Sequence, residues 1–287
     1  MSPQHPDRIV VVTDSTAYLP DALVDAHRIH VVPMHVIVDG EPGQEGVDFT
    51  PADVSRALRD RRGRVTTSRP SPEEFSTAYA TLLDNGASGV VSVHVSGALS
   101  GTLEAAQLAA DGCAGRVAVV DSQSTGMGLG FPVLAAAEAA AGKAGLEEVQ
   151  LAAEEAIGRT SIFFYVDTLE FLRRGGRISA GEALLGTALA VKPILHVDDG
   201  QVLVKEKVRT AGRALARIEE LAVETAGDGA VDLAVHHLDS LQRAEELVDQ
   251  LRKRLPGLKQ AHISEVGAAV GAHVGHGLVA AVVHRHE

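Results

Sequence analysis

A chain of 287 residues suffices for one large domain or two ordinary ones, and a core of that size needs no disulfide staples. Its 38 acidic and 26 basic residues leave a formal net charge of −12, which disfavours nucleic acid as a partner. Aromatic residues make up only 3% and tryptophan is absent, which disfavours a stacking platform for bases or sugars. The single cysteine, Cys113, excludes an intramolecular disulfide and suits a reducing compartment, so a cytoplasmic location is expected. Residues 1–7 are polar, hold Pro3 and Pro6, and read as a disordered tail without an apolar signal core. No apolar run reaches the roughly 18 residues of a membrane span, so stable membrane insertion is not expected.

Strand and helix alternate along the first half. Residues 8–14 read as a buried strand, followed by a helix near 20–26. Residues 30–38 read as a second strand, ending in a turn over Asp39-Gly40-Glu41-Pro42-Gly43. Thr50-Pro51-Ala52-Asp53 reads as a helix start: Thr50 caps, Pro51 takes the first helical position, Asp53 completes a capping box, and Gly63 is the stop. Ser71-Pro72-Glu73-Glu74 repeats that chemistry before Phe75, Tyr79, Leu82 and Leu83, which share one face. Strands at 90–95 and 116–121 each lead into an Ala-rich helix. This alternation predicts a Rossmann-like, mostly parallel sheet with helices on both faces.

The pattern changes after a helix over 146–158, so an N-terminal α/β domain over 8–158 and a C-terminal α/β domain over 159–287 are expected. Residues 160–166 read as a strand, and 191–197 with 201–208 as a hairpin turning at Asp198-Asp199-Gly200. A helix over 210–225, a strand over 231–237, a Ser240-capped helix over 241–255, and strands near 260–266 and 278–284 complete the chain. This half predicts a mixed, largely antiparallel sheet with helices against one face.

Two hydroxyl-rich turns carry most of the chemical information: Thr66-Thr67-Ser68-Arg69-Pro70-Ser71-Pro72 and Val95-Ser96-Gly97-Ala98-Leu99-Ser100-Gly101-Thr102. Each runs into a helix start, where backbone N–H groups and the helix dipole favour negative charge. No lysine follows Gly101, so this is no phosphate loop, and neutral donors suit a small anion such as a carboxylate. Asp14-Ser15-Thr16, Ser96-Gly97 and Asp121-Ser122 fall at the carboxyl ends of strands, the ligand edge of an open α/β sheet, though each reads equally as a helix cap. Pro70 favours extended geometry before it, and the hydroxyls of Thr67 and Ser68 are expected to point across the sheet edge toward Ser96. Phe171-Leu172-Arg173-Arg174-Gly175-Gly176-Arg177-Ile178 reads either as a helix end with Gly175 as its left-handed cap or as a turn aiming Arg177 at an anion. The stretch from Gly267 to Gly277 reads as a glycine-rich turn with His273 as a single donor, and it lacks zinc-ligand spacing. No Gly-x-Ser-x-Gly elbow is present, and Gly126-Met127-Gly128-Leu129-Gly130-Phe131 is only a partial dinucleotide fingerprint.

Taken in order, these segments resemble the DegV family of bacterial lipid-binding proteins. The resemblance is carried by Val12-Thr13-Asp14-Ser15-Thr16-Ala17, Thr67-Ser68-Arg69-Pro70-Ser71-Pro72, Ser96-Gly97-Ala98-Leu99-Ser100-Gly101-Thr102 and Val120-Asp121-Ser122. Leu169-Glu170-Phe171-Leu172-Arg173-Arg174-Gly175-Gly176-Arg177-Ile178, Lys192-Pro193-Ile194-Leu195 and Ala272-His273-Val274-Gly275-His276-Gly277 continue it over nearly the whole chain. The resemblance implies two α/β domains with a long-chain fatty acid in a buried tunnel between them, as ligand and without a further cofactor or metal. It implies that Thr67 and Ser96 hold the carboxylate, with Ser68, Arg177 and His273 near it, and Asp14, Ser15, Ser100, Gly101, Thr102 and Arg69 in support. It also implies a carrier, not an enzyme by itself, that presents the carboxylate to a fatty acid kinase subunit for acyl-phosphate formation in lipid metabolism. The family usually has glutamine where Arg69 stands and proline where His276 stands. Arg69 is therefore expected to add a cation beside the head group, and His276 to loosen the turn carrying His273.

The rival reading is a stand-alone phosphotransferase or hydrolase at the same sheet edge, with Asp14 and Asp121 holding magnesium for a nucleotide. The missing phosphate-loop lysine and the lack of an activated nucleophile count against it.

Overall fold

Residues 8–60, 64–179 and 191–286 are described by a computed structural model. The tail expected over 1–7 and the helix stop expected at Gly63 lie outside them. The chain forms two compact α/β units. One takes the described residues up to Met34 together with Arg69–Gly158; the other takes His35–Ser68 and the described residues from Arg159 onward. The segment 35–68, placed by its sequence in a domain over 8–158, thus groups with the second unit.

In the first unit β1 (Ile9–Asp14) pairs in parallel with β2 (His30–Val32), joined through α1 (Asp21–His27). The single strand expected over 30–38 breaks at Pro33, which has no N–H to offer a ladder. Beyond the break, in the second unit, come β3 (His35–Val38), β4 (Glu41–Gln44), α2 (Pro51–Arg59) and β5 (Val65–Ser68). The three strands form an antiparallel sheet in the order β4-β3-β5. Its first turn is only Asp39-Gly40, with φ of 54° and 96°, so Glu41-Pro42-Gly43 is strand and not the expected continuation of the turn. Thr66-Thr67-Ser68, expected as a loop, is likewise strand.

The first unit resumes with α3 (Pro72–Asp84), β6 (Gly89–His94), α4 (Thr102–Ala110), β7 (Val117–Asp121), α5 (Met127–Ala141) and α6 (Leu146–Gly158). Thr50 and Ser71 cap α2 and α3 through reciprocal boxes with proline in the first turn, as their sequences predict. The sheet, ordered β2-β1-β6-β7, is parallel throughout. Residue alternation sorts its side chains into two cores. Ile9, Val11, Val91 and Val93 pack against Leu129, Val133, Val149 and Ala153 of α5 and α6. Val12, Val32 and Val90 pack against Phe75, Tyr79, Ala105 and Ala106 of α3 and α4. Helices therefore cover both faces, and the strands' carboxyl ends share one edge, where Asp14, the Ser96 turn and Asp121 lie.

The second unit continues with β8 (Thr160–Tyr165), α7 (Glu170–Arg174), β9 (Lys192–Asp198), β10 (Gln201–Val208), α8 (Ala211–Ala226), β11 (Val231–His237), α9 (Leu241–Arg254), β12 (Leu258–Glu265), α10 (Ala268–Val274) and β13 (Val279–Arg285). Its larger sheet runs β10-β9-β8-β13-β11-β12 and is antiparallel except at β11–β12, the mixed, largely antiparallel sheet expected. On one face Phe163, Tyr165, Ile194, Leu233, Val235, Ala281 and Val283 meet Ala214, Ile218, Leu221, Leu247 and Leu251 of α8 and α9. Among the described residues no helix is long and apolar enough to cross a membrane.

Of the buried histidines in this sheet, two have a hydroxyl partner: His236 Nδ1 lies 2.9 Å from Ser264 Oγ, and His284 Nδ1 lies 2.9 Å from Thr160 Oγ1. Burial lowers both pKa values from 6.5 to about 4. Unfolded imidazoles take up protons near pH 6.5 while the folded ones do not, so stability is full above that pH and falls as pH drops toward 4. Calorimetry at pH 7.5 and pH 5 is expected to give a lower Tm at the lower pH, and His236→Gln to flatten that dependence; equal slopes for the two proteins would contradict it.

Candidate functional site

Three separate sequence motifs converge within the second unit. On β5, Thr67 is half-buried while Ser68 is exposed, because successive strand residues point to opposite faces. The stretch from Gly267 to Gly277, expected as a turn, contains α10, which packs against β5, α2 and α7. His273 sits on α10, and its Nε2 lies 3.2 Å from Thr67 Oγ1. At the end of α7 the left-handed residue is Gly176, with φ of 71°, and not Gly175 as the sequence suggested. Gly175 instead makes room for the imidazole, since a Cβ there would overlap His273 Nδ1. The half-buried Arg177 follows at once and donates to the Gly175 carbonyl. Thr67, His273 and the Gly175-Gly176-Arg177 turn thus form one cluster.

Burial, and then the charge of Arg177, lower the His273 pKa from 6.5 to about 4, so the ring is neutral at pH 7. Among the described residues its buried Nδ1 has no hydrogen-bond partner. An orphaned buried acceptor is better tolerated than an orphaned N–H, so the proton belongs on Nε2. Nε2–H then donates to Thr67 Oγ1, leaving the Thr67 hydroxyl proton to be given elsewhere. A neutral imidazole therefore leaves the Thr67 proton available to an acceptor other than His273.

Glu45, buried at 5% exposure, holds the start of α10 by accepting from Ala269 N–H at 2.7 Å. A Cβ at Gly267 would overlap its carboxylate. Gly275 and Gly277 have φ of 75° and 84°, and a Cβ on either would overlap Phe171 or Asp167. His276, expected to loosen this turn, stands between the two glycines with its ring edge-on to Phe171 at 6.4 Å, so the turn is held on both sides.

In the first unit the other named residues gather around the Ser96 turn. Ser96 is buried; its N–H donates to Ser124 O at 2.9 Å, and its Oγ accepts from Ala98 N–H at 3.2 Å. Asp121 accepts from Gly97 N–H and Gln123 N–H, which ties β7 to the turn. Ser100 and Thr102 share a hydrogen bond of 2.8 Å, and Thr102 is buried. Ser15 Oγ accepts from Met34 N–H at 3.0 Å. Arg69 does not stand as an uncompensated cation: its guanidinium donates to Gly101 O at 2.9 Å and to Glu104 at 2.6 Å. Asp14 is wholly buried and its carboxylate is taken up by Thr16, His94 and Val95, so it cannot also bind magnesium. Among the described residues no cluster of three or more His, Cys, Asp or Glu could hold a metal ion.

The sequence profile of a family described as "Uncharacterised protein, DegV family" matches residues 8–286. The chain belongs to the DegV family. A DegV domain-containing protein of Streptomyces coelicolor is 49% identical over 275 residues, covering 96% of this chain and 98% of the relative. Among solved structures, a fatty-acid-binding DegV family protein from Thermus thermophilus superposes with a TM-score of 0.91 at 34% identity, covering 97% of this chain and 99% of the other. DegV of Bacillus subtilis, a fatty acid binding protein, superposes with a TM-score of 0.87 at 32% identity, covering 97% and 99%. The two α/β units described above are thus those of DegV structures.

Sequence reasoning missed Glu45, whose position shortly before the Thr50 cap gives no sign of a partner near residue 269. It also missed His94, Ser92 and Tyr79, which read as ordinary strand and helix positions. Gly175→Ala is expected to displace the His273 ring and to destabilise the fold by about 1–3 kcal/mol, the usual cost of overpacking. Chemical denaturation and the histidine NMR signals would report both, and an unmoved His273 signal with wild-type stability would contradict the close approach.

Proposed function

We propose that this chain binds a long-chain fatty acid and presents its carboxylate to a partner kinase, which converts it to an acyl phosphate for lipid metabolism. The observation that carries the reading is the Thr67–His273 pair, whose neutral ring leaves the threonine proton for an acceptor beside Arg177. The Ser96 turn is the second set of donors in this reading. Support comes from the fatty-acid-binding members of the family in Thermus thermophilus and Bacillus subtilis.

Energetics divide the ligand in two. Each methylene removed from water contributes about 0.8 kcal/mol, so a tail of a dozen or more contributes roughly 10 kcal/mol before costs. Each hydrogen bond to the carboxylate contributes about 1.5–3 kcal/mol, which mainly offsets the desolvation of the charge. Affinity therefore resides in the tail, and orientation in Thr67, His273, Arg177 and Ser96. The protein acts as a carrier and supplies no catalytic residue; the attacking oxygen belongs to the fatty acid and the phosphoryl group to the kinase's nucleotide.

Mass spectrometry of a solvent extract of the purified protein is expected to give an acyl lipid, and delipidated protein is expected to take up added oleate. Thr67→Val, nearly isosteric, is expected to lower oleate affinity about ten-fold, the loss of one bond to a charged acceptor, and to cost about 1–3 kcal/mol of stability because His273 Nε2–H loses its acceptor. Ser96→Ala is expected to act in the same direction. Protein that carries no acyl lipid and binds none would end this reading. Hydrolysis of ATP by the isolated chain would instead support the phosphotransferase reading.

A further inference from the structure

The most deeply buried charge of the first unit lies at the end of β1. The Asp14 carboxylate accepts four hydrogen bonds: from Thr16 N–H and O–H at 3.1 and 2.6 Å on one oxygen, and from His94 Nδ1 and Val95 N–H at 2.9 and 3.0 Å on the other. Burial works to raise its pKa, but the donors from His94, Thr16 and Val95 outweigh it and hold the group below the usual carboxylate range. On the far side of the ring, His94 Nε2 lies 2.7 Å from Ser92 Oγ, which accepts from the Tyr79 hydroxyl at 2.9 Å. Since Nδ1–H is committed to Asp14, Nε2 accepts from Ser92, and every proton in the array has one destination. Phe75, edge-on at 5.0 Å, packs against the imidazole and further restricts it. Asp14, Tyr79, Ser92 and His94 are all at 0% exposure.

The order Ser–His–Asp has the look of a hydrolase triad. Yet Ser92 is fully buried and its oxygen already takes the Tyr79 proton, so it has no part as a nucleophile. What the array does touch is the backbone. Asp14 fixes the Val95 amide, one residue before Ser96, while the Ser96 amide is fixed by Ser124 O at 2.9 Å. We infer that the Asp14–His94–Ser92–Tyr79 array is a positioning device for the Ser96 turn, with His94 the positioning residue. The inference deepens the fatty-acid reading and rests on it. Removing His94 takes one donor from a buried carboxylate, and the remaining bonds must rearrange to cover the loss, Val95 N–H among them.

The test reads two quantities: amide NMR signals of Val95, Gly97 and Ala98 in ligand-free protein, and oleate affinity of delipidated protein. His94→Phe is expected to shift all three signals and to lower affinity about ten-fold. His94→Asn, whose side-chain amide can stand where Nδ1 stood, is expected to recover most of that loss, a rescue that mere filling of space would not produce. Where His94→Phe does not fold, Asp14→Asn keeps the shape and is expected to give the same shift and loss. Unmoved amide signals, shifted signals with wild-type affinity, or no rescue by asparagine would overturn the positioning role. Absence of oleate binding by the wild-type protein would overturn the fatty-acid reading instead, and the amide signals would still decide whether His94 sets the turn.

Discussion

A hydroxyl has one proton, and whether it can serve an anion depends on what already occupies its oxygen. At Thr67 that question is settled by His273. Burial holds the imidazole neutral, Nδ1 faces the α-carbon of Gly175 with no hydrogen-bond partner among the described residues, and Nε2 turns to the threonine oxygen. Were the ring protonated, Nδ1–H would be a buried donor with no partner, which costs more than an idle acceptor. The lack of a side chain at Gly175 is therefore an electrostatic requirement as well as a steric one: it brings a nonpolar surface against the nitrogen that must stay bare.

The net charge of −12 would repel a carboxylate at long range, so the proposed binding requires a local attraction. Two cations near the motifs act on different neighbours. Arg69 is compensated by Glu104 and serves to close the start of α4. Arg177 is half-buried, its own pKa lowered by burial, and it presses on His273 strongly enough to help keep that ring neutral. One guanidinium thus acts twice, on the protonation of the imidazole and on any anion that approaches it. Anionic side chains near the same motifs are satisfied inside the fold: Glu45 by α10, Asp121 by Gly97 and Gln123, Asp14 by its four donors.

Much of this was legible in the sequence wherever the signal was local. Two proline-led capping boxes, the alternating cores of β1 and β6, and the hairpin at Asp199-Gly200 depend on residues within a few positions of one another. The gathering of Thr67, Arg177 and His273 was foreshadowed too, since each stands, like Ser96, in a short run of unusual composition. What could not be read was long-range pairing. Pro33 looks like a blemish in one strand until β3 is seen to pair with β5, and Glu45 looks like a loop residue until Ala269 is found beside it. His94 carried no signal at all, because a histidine in an apolar strand has the same local pattern whether it is part of a buried hydrogen-bond array or a chance polar residue.

The excursion of residues 35–68 makes sense in these terms. Three crossings between units cost more chain entropy than the single cut expected near Gly158, so the segment must gain something that local packing would not give. It brings two groups to α10 at once. Glu45 clamps the first turn of that helix, and Thr67, farther along the same segment, meets His273 on its last turn. The strand pairing between β3 and β5 fixes the spacing of the two, because Val36 stands opposite Thr67 while β4 leads directly to Glu45. A donor and the clamp that orients its partner are thus delivered by one small sheet, and a shift of one residue in its register would turn Ser68 inward and Thr67 outward. That register, more than any charged residue, decides which hydroxyl faces His273.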